Sequence, residues 1–159
     1  CIRDRDRPRH ADIIETIRSS GARVKLIPDG DIAGVIHTTD PQTGIDMYMG
    51  SGGAPEGVLA AAALRCTGGQ MQAKLVLEDQ EKKDRASKMG INDYNKIYTL
   101  NELVSGDALF AATGVTNGSM LSGIENRNGL WTNTVVMRSS SGTVRWIKSH
   151  HTNNEKFNL

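Results

Sequence analysis

Apolar positions Ile13, Ile14 and Ile17 recur at helical spacing between residues 10 and 20, with Arg18 near the end and Gly21 beyond it. That pattern predicts an amphipathic helix with a glycine stop. Residues 23–27 read as a short strand closed by Pro28-Asp29-Gly30-Asp31, and residues 32–36 as a short helix after that turn. Residues 45–49 read as a second strand. An alanine-rich helix follows over 56–66, ending at Gly68-Gly69. Residues 71–77 read as a third strand and 78–89 as a charged, mostly solvated helix stopped by Gly90. A short helix over 99–105 has Thr99 as its cap and Glu102 at the capping-box position. Residues 108–113 read as a fourth strand. The β-rich runs 132–138 and 143–148, joined by Ser139-Ser140-Ser141-Gly142, predict an antiparallel hairpin.

Strands alternating with helices predict an α/β fold, a layered α/β sandwich with a mixed sheet. The 159 residues fit one domain with a real core. The folded part is expected over 1–149, with 150–159 as a polar tail that frays. No internal repeat or heptad pattern is present. A net charge of +1 shows no basic excess, which argues against a nucleic-acid or membrane-surface partner. Aromatic content of 4% leaves little for base-stacking platforms. Cys1 and Cys66 cannot supply a structural zinc site alone. Cys66, in the apolar run of a helix, is expected as a buried reduced thiol, and the cytoplasm as the compartment. No apolar run approaches a membrane span, and nothing resembles a secretory signal. The chain opens at Cys1 directly into a strand end or loop already in progress. It reads as a fragment or as the C-terminal half of a longer polypeptide.

Candidate chemistry gathers in three segments. Gly50-Ser51-Gly52-Gly53-Ala54-Pro55-Glu56 runs into the alanine-rich helix. Glycines let a ligand approach the backbone, and a helix start offers free N–H groups suited to a phosphate. Glu56 there is either an acid that stabilises the helix start or a metal ligand beside a phosphate. Arg7-Pro8-Arg9 carries two guanidiniums that an extended backbone would aim the same way, onto one anion, or else forms part of a solvated charge run. Asp29-Gly30-Asp31 offers carboxylates to sugar hydroxyls or a divalent ion, or is an ordinary turn in which Asp31 caps the next helix. Nucleophile arrangements find little support. Ser51 sits in no Gly-x-Ser-x-Gly elbow, and His10, His37, His150 and His151 lack partner spacing for a triad. Thr113 to Gly118 reads as a structural turn.

The order of segments carries more than any one of them. Arg7-Pro8-Arg9-His10 is followed by Ile27-Pro28-Asp29-Gly30-Asp31, by Gly52-Gly53-Ala54-Pro55-Glu56-Gly57, and by Ala63-Leu64-Arg65-Cys66-Thr67-Gly68-Gly69-Gln70-Met71-Gln72. Ala112-Thr113-Gly114-Val115-Thr116 and Val136-Met137-Arg138-Ser139 come later. From Arg7 to about Ile147 this series resembles the C-terminal half of class II fructose-1,6-bisphosphatase, a family with the inositol-monophosphatase-like fold of lithium-sensitive phosphatases. The resemblance implies hydrolysis of the 1-phosphate of fructose 1,6-bisphosphate to fructose 6-phosphate and phosphate, with Mg²⁺ or Mn²⁺ as cofactor. It implies substrate contacts at Arg7, Pro8, Arg9, Asp29, Gly30, Asp31 and Gly53, and a metal ligand at Glu56. It implies no catalytic residue in this chain, since the family's other metal ligands and its catalytic threonine lie in the N-terminal half, the expected partner. It further implies a cytoplasmic homo-oligomer in gluconeogenesis and glycerol metabolism. A non-catalytic sugar-phosphate-binding module, or a phosphatase of the same fold acting on sedoheptulose 1,7-bisphosphate or an inositol phosphate, are the alternatives.

Overall fold

A computed structural model of the chain describes residues 1–5 and 8–152. The first half builds a parallel sheet of three strands, β1 (Ile2–Arg5), β2 (Val24–Ile27) and β3 (Met47–Met49), in the order β2-β1-β3. Parallel neighbours need crossovers. Helix α1 (Ala11–Ser19) carries the chain from β1 to β2, burying Ile14 and Ile17. Helix α2 (Asp31–Ile36) and two 3-10 turns carry it from β2 to β3, across β1 to the opposite edge.

Helix α3 (Ala54–Thr67) starts two residues earlier than the sequence predicts, with Pro55 in its first turn, where the missing N–H costs nothing. It ends at Gly68, whose φ of 81° supplies the left-handed cap. Beyond it, β4 (Gln72–Lys74) pairs antiparallel with β5 (Ile97–Thr99), flanking the charged helix α4 (Gln80–Lys88). Helix α5 (Leu100–Leu103) begins on a capping box, in which the Glu102 carboxylate accepts from the Thr99 N–H at 2.9 Å.

The second half is an antiparallel sheet of β6 (Leu109–Thr113), β7 (Glu125–Asn126), β8 (Leu130–Arg138) and β9 (Thr143–His151). β9 lines one edge of β8 throughout, and β6 and β7 share the other. The expected α/β class holds. Parallel and antiparallel ladders occupy separate sheets instead of one mixed sheet, because the first strands are joined by helical crossovers and β8 to β9 by a tight hairpin. The hairpin also runs further than expected. His150 and His151, assigned to the tail, pair with Trp131 and Leu130, and His150 stacks on Trp131 at 4.1 Å. The rest of the expected tail, from residue 153, lies outside the described residues.

Asp107 pins the hairpin turn. Its carboxylate accepts from Ser139 Oγ at 2.7 Å, Ser140 N at 2.9 Å and Arg138 Nη2 at 2.8 Å. The hydrogen bond from Ser139, with those from Arg138 and Ser140, holds this carboxyl well below the usual aspartate range.

The core forms where α3 meets the antiparallel sheet. Ala63 and Cys66 of α3 pack with Phe110, Val135, Met137, Leu121 and Ile36. On its other side, Ala60 and Leu64 pack with Val35 of α2. Cys66 is a free buried thiol, as expected, donating to the Ala108 carbonyl at 3.4 Å, and burial pushes its pKa up. Met137 and Leu109 make a test of this core. Met137 is 1% exposed and Leu109, on the outer face of the same sheet, 71%. Met137→Ala should lower unfolding free energy in urea by about 2–5 kcal/mol, because transfer and cavity costs add. Leu109→Ala should change it by about 0.5 kcal/mol or less.

Candidate functional site

All three strands of the parallel sheet run the same way, so their carboxyl ends share one edge. The chain leaves β2 and β3 on opposite sides of β1. That edge is therefore a topological switch point, where open α/β sheets bind ligands. Three loops meet there: the segment after β1 leading to Pro8–His10, the Pro28–Asp31 turn after β2, and the Gly50–Gly53 loop after β3.

The sequence-predicted residues fall on these loops. Pro8 and Arg9 lie in a 3-10 turn, Pro8–His10, that leads directly into α1. The extended backbone expected for Arg7-Pro8-Arg9 does not hold there, since proline's fixed φ equally suits the start of a helical turn. Arg7 lies outside the described residues. Asp29 is exposed, and Gly30 is the N-cap of α2 with a left-handed φ of 75°. Asp31 is consequently the first helical residue. It is an acid in the first turn, favourable to the helix dipole, and not the cap.

Gly53 is the N-cap of α3, and its N–H donates to Glu56 Oε2 at 2.8 Å. The helix-start role for Glu56 is thus realised. It uses one oxygen of an exposed carboxylate that has a second to offer. Gly52 passes between two carboxylates. A Cβ there would stand 3.0 Å from Glu56 Oε2 and 3.8 Å from Asp31 Oδ2. The β2 and β3 loops therefore bring Asp31 and Glu56 to the same spot. Carboxylate oxygens suit Mg²⁺ or Mn²⁺ in kind. They do not suffice in number: among the described residues no group of three or more His, Cys, Asp or Glu could hold a metal ion.

One arrangement at this edge escapes sequence spacing. His10 and Asp4 are both fully buried, and His10 Nδ1 lies 3.0 Å from Asp4 Oδ1. His10 Nε2 accepts the Ser51 N–H at 3.0 Å and lies 3.0 Å from Ser51 Oγ. Sequence spacing suggests no partners for His10, yet the fold supplies two. Its partners stand six and forty-one residues away, joined by the parallel pairing of β1 with β3. The sequence signal was an Asp in the first strand six residues before a histidine at the start of the following helix.

Arg3, next to Asp4 on the alternate face of β1, is also buried and meets His37 Nδ1. Burial, reinforced by the Arg3 charge, lowers the His37 pKa. His37 opens on a cavity of about 780 Å³ bordered by Asp40, Cys66, Met137 and Trp146. That cavity lies at the far ends of α2 and α3, away from the sheet edge. The Gly114 to Gly118 segment is a structural turn, as expected, with Asn117 Oδ1 accepting from Gly123 N at 2.9 Å. No helix among the described residues is long and apolar enough to cross a membrane.

Comparison with known proteins places the chain in a family. Residues 2–151 match the family described as bacterial fructose-1,6-bisphosphatase, glpX-encoded. The chain is 42% identical to a protein of Synechococcus sp. (strain JA-3-3Ab) named D-fructose 1,6-bisphosphatase class 2/sedoheptulose 1,7-bisphosphatase, over 92% of this chain and 46% of that protein. A protein of the same name from Crocosphaera subtropica is 41% identical over the same shares. The chain thus spans about half the length of the curated relatives it matches. It belongs to the bacterial, glpX-encoded fructose-1,6-bisphosphatase family.

Proposed function

We propose that this chain is the sugar-phosphate-binding part of a divalent-metal-dependent phosphatase. The enzyme hydrolyses the 1-phosphate ester of fructose 1,6-bisphosphate, giving fructose 6-phosphate and inorganic phosphate. The observation that carries the reading is the convergence of Pro8–His10, Pro28–Asp31 and Gly50–Glu56 at one sheet edge, in a chain of this family. In the longer polypeptide, an N-terminal segment supplies the remaining metal ligands and the group that activates water. This chain supplies Glu56 as one ligand. The metal, Mg²⁺ or Mn²⁺, would neutralise charge developing on the transferred phosphoryl group when bound.

The remaining roles follow from chemistry. Arg7 and Arg9 are assigned to the phosphate that is not cleaved, where guanidinium forks make charge-assisted contacts. Asp29 and Asp31 face the hydroxyl-bearing middle of the sugar, since a carboxylate accepts hydrogen bonds and repels phosphate. Gly30 holds the Asp29–Asp31 turn, and Gly53 gives the substrate a close approach to the backbone. The reaction fits a cytoplasmic enzyme of gluconeogenesis. The names of the Synechococcus and Crocosphaera relatives favour sedoheptulose 1,7-bisphosphate as a second substrate.

Glu56→Gln in the full-length enzyme should lower kcat about a hundredfold or more, because the amide keeps the cap geometry but not the charge that holds a cation. Phosphate release assayed across a metal titration reads this. Near-normal turnover at low metal would return Glu56 to helix capping alone.

Arg9→Ala should mainly raise KM, by roughly 10–100-fold, the equivalent of about 1.5–3 kcal/mol for a lost charged hydrogen bond. Arg9→Lys should recover only part. An unchanged KM places Arg9 on the solvated surface.

Asp31→Asn should alter the ratio of kcat/KM for the fructose and sedoheptulose bisphosphates. With the cap role taken by Gly30, its melting temperature should stay near the parent's. An unchanged ratio removes Asp31 from the sugar subsite. Equal binding of both sugars without any phosphate release would favour the non-catalytic binding module.

A further inference from the structure

We infer that His10 is a positioning residue for this site: it fixes the Gly50–Gly53 loop against β1 and, through that loop, sets Gly53 and Glu56. The inference rests on the proposed role of that loop. The geometry allows one reading of the ring. A backbone N–H only donates, so Nε2, which receives the Ser51 N–H at 3.0 Å, carries the lone pair. The ring proton then sits on Nδ1, facing Asp4 Oδ1 at 3.0 Å. Asp4 belongs to the central strand of the parallel sheet, paired on both sides. A continuous path therefore runs from β1 through Asp4, His10 and Ser51 to Gly53, whose N–H reaches Glu56 at 2.8 Å.

The fit along this path is close. A Cβ on Gly50 would stand 3.2 Å from His10 Cε1 and 3.3 Å from Asp4 Oδ1, so the loop lies directly on the pair. His10 Nε2 meets both the Ser51 N–H and Ser51 Oγ at 3.0 Å, and the imidazole has no exposed surface, so the ring holds Ser51 in place.

Two conservative variants separate positioning from burial. Asn at position 10 presents an N–H where Nδ1 was, keeping Asp4 paired, but has no atom at the Nε2 position. Gln reaches that position with an oxygen that can accept the Ser51 N–H. In the full-length enzyme, H10N should keep a melting temperature close to the parent's. It should raise the Ser51 amide hydrogen-exchange rate about tenfold or more and the KM for fructose 1,6-bisphosphate about tenfold, with kcat changing less. H10Q, which accepts from Ser51 but no longer donates to Asp4, should recover most of both at a lower melting temperature. Parent-like Ser51 exchange and KM in H10N, or equal impairment in H10N and H10Q, would overturn the inference. Should either variant fail to fold, the His10 ring nitrogens of the parent decide by ¹⁵N–¹H correlation. A proton on Nδ1 is expected, and one on Nε2 overturns the proposal. The exchange and tautomer measurements need no substrate, so they decide the role of His10 even if the enzyme acts on no sugar bisphosphate.

Discussion

Burial of α3 between α2 and the antiparallel sheet is the contact on which the rest of the structure depends. Ala61 and Ala63 have no exposed surface, and Leu64 and Cys66 have almost none. Small side chains let the helix backbone approach both neighbours, so it serves two clusters at once. Ala63 and Cys66 face Phe110, Val135 and Met137, while Ala60 and Leu64 face Val35. The parallel sheet alone, three short strands, would bury little. Bridged by α3, it shares a core with the nine-residue strands of the hairpin. Close packing of this kind resists displacement, because each lost methylene costs both transfer energy and a cavity.

The same burial places the chemistry. Burial holds α3 from Ala60 to Cys66, and the helix carries its exposed first turn, with Gly53 and Glu56, to the carboxyl edge of the parallel sheet near Asp31. Both carboxylates lie within 4 Å of the side-chain position at Gly52, and like charges gathered at one loop gain from a cation or hydrogen-bond donors. At the edge's inner side the negative charge of Asp4 is fully buried and answered by the His10 ring. One acid is thus tied into the scaffold, Asp31 is half-buried, and Glu56 is exposed.

The parts legible in the sequence are those that local chemistry decides. The periodic isoleucines of α1, the Thr99–Glu102 capping box and the β8–β9 hairpin each carry their signal within a few residues. The order of the Arg-Pro-Arg, Asp-Gly-Asp and Gly-Gly-Ala-Pro-Glu segments carried the family. What could not be read depends on distant pairing. Strands β5 and β7 are two or three residues long and exist because β4 and β8 lie beside them. The Asp4–His10–Ser51 chain needs β1 beside β3 before its members meet. Proline misled at Pro8 because its fixed φ serves extended and helical starts alike. Residues 71–77 shrank to a strand of three because only Gln72–Lys74 find a partner.

The central claim is that the carboxyl edge of β1–β3 is the sugar-phosphate site. The most direct test is a crystal structure of the full-length protein with fructose 6-phosphate and Mn²⁺. The account predicts sugar-phosphate density at that edge, with the sugar hydroxyls against Asp29 and Asp31, the ring beside Gly53, and the metal bound in part by Glu56. Ligand density in the cavity bordered by His37, Cys66 and Trp146, with the sheet edge empty and no metal on Glu56, would contradict it.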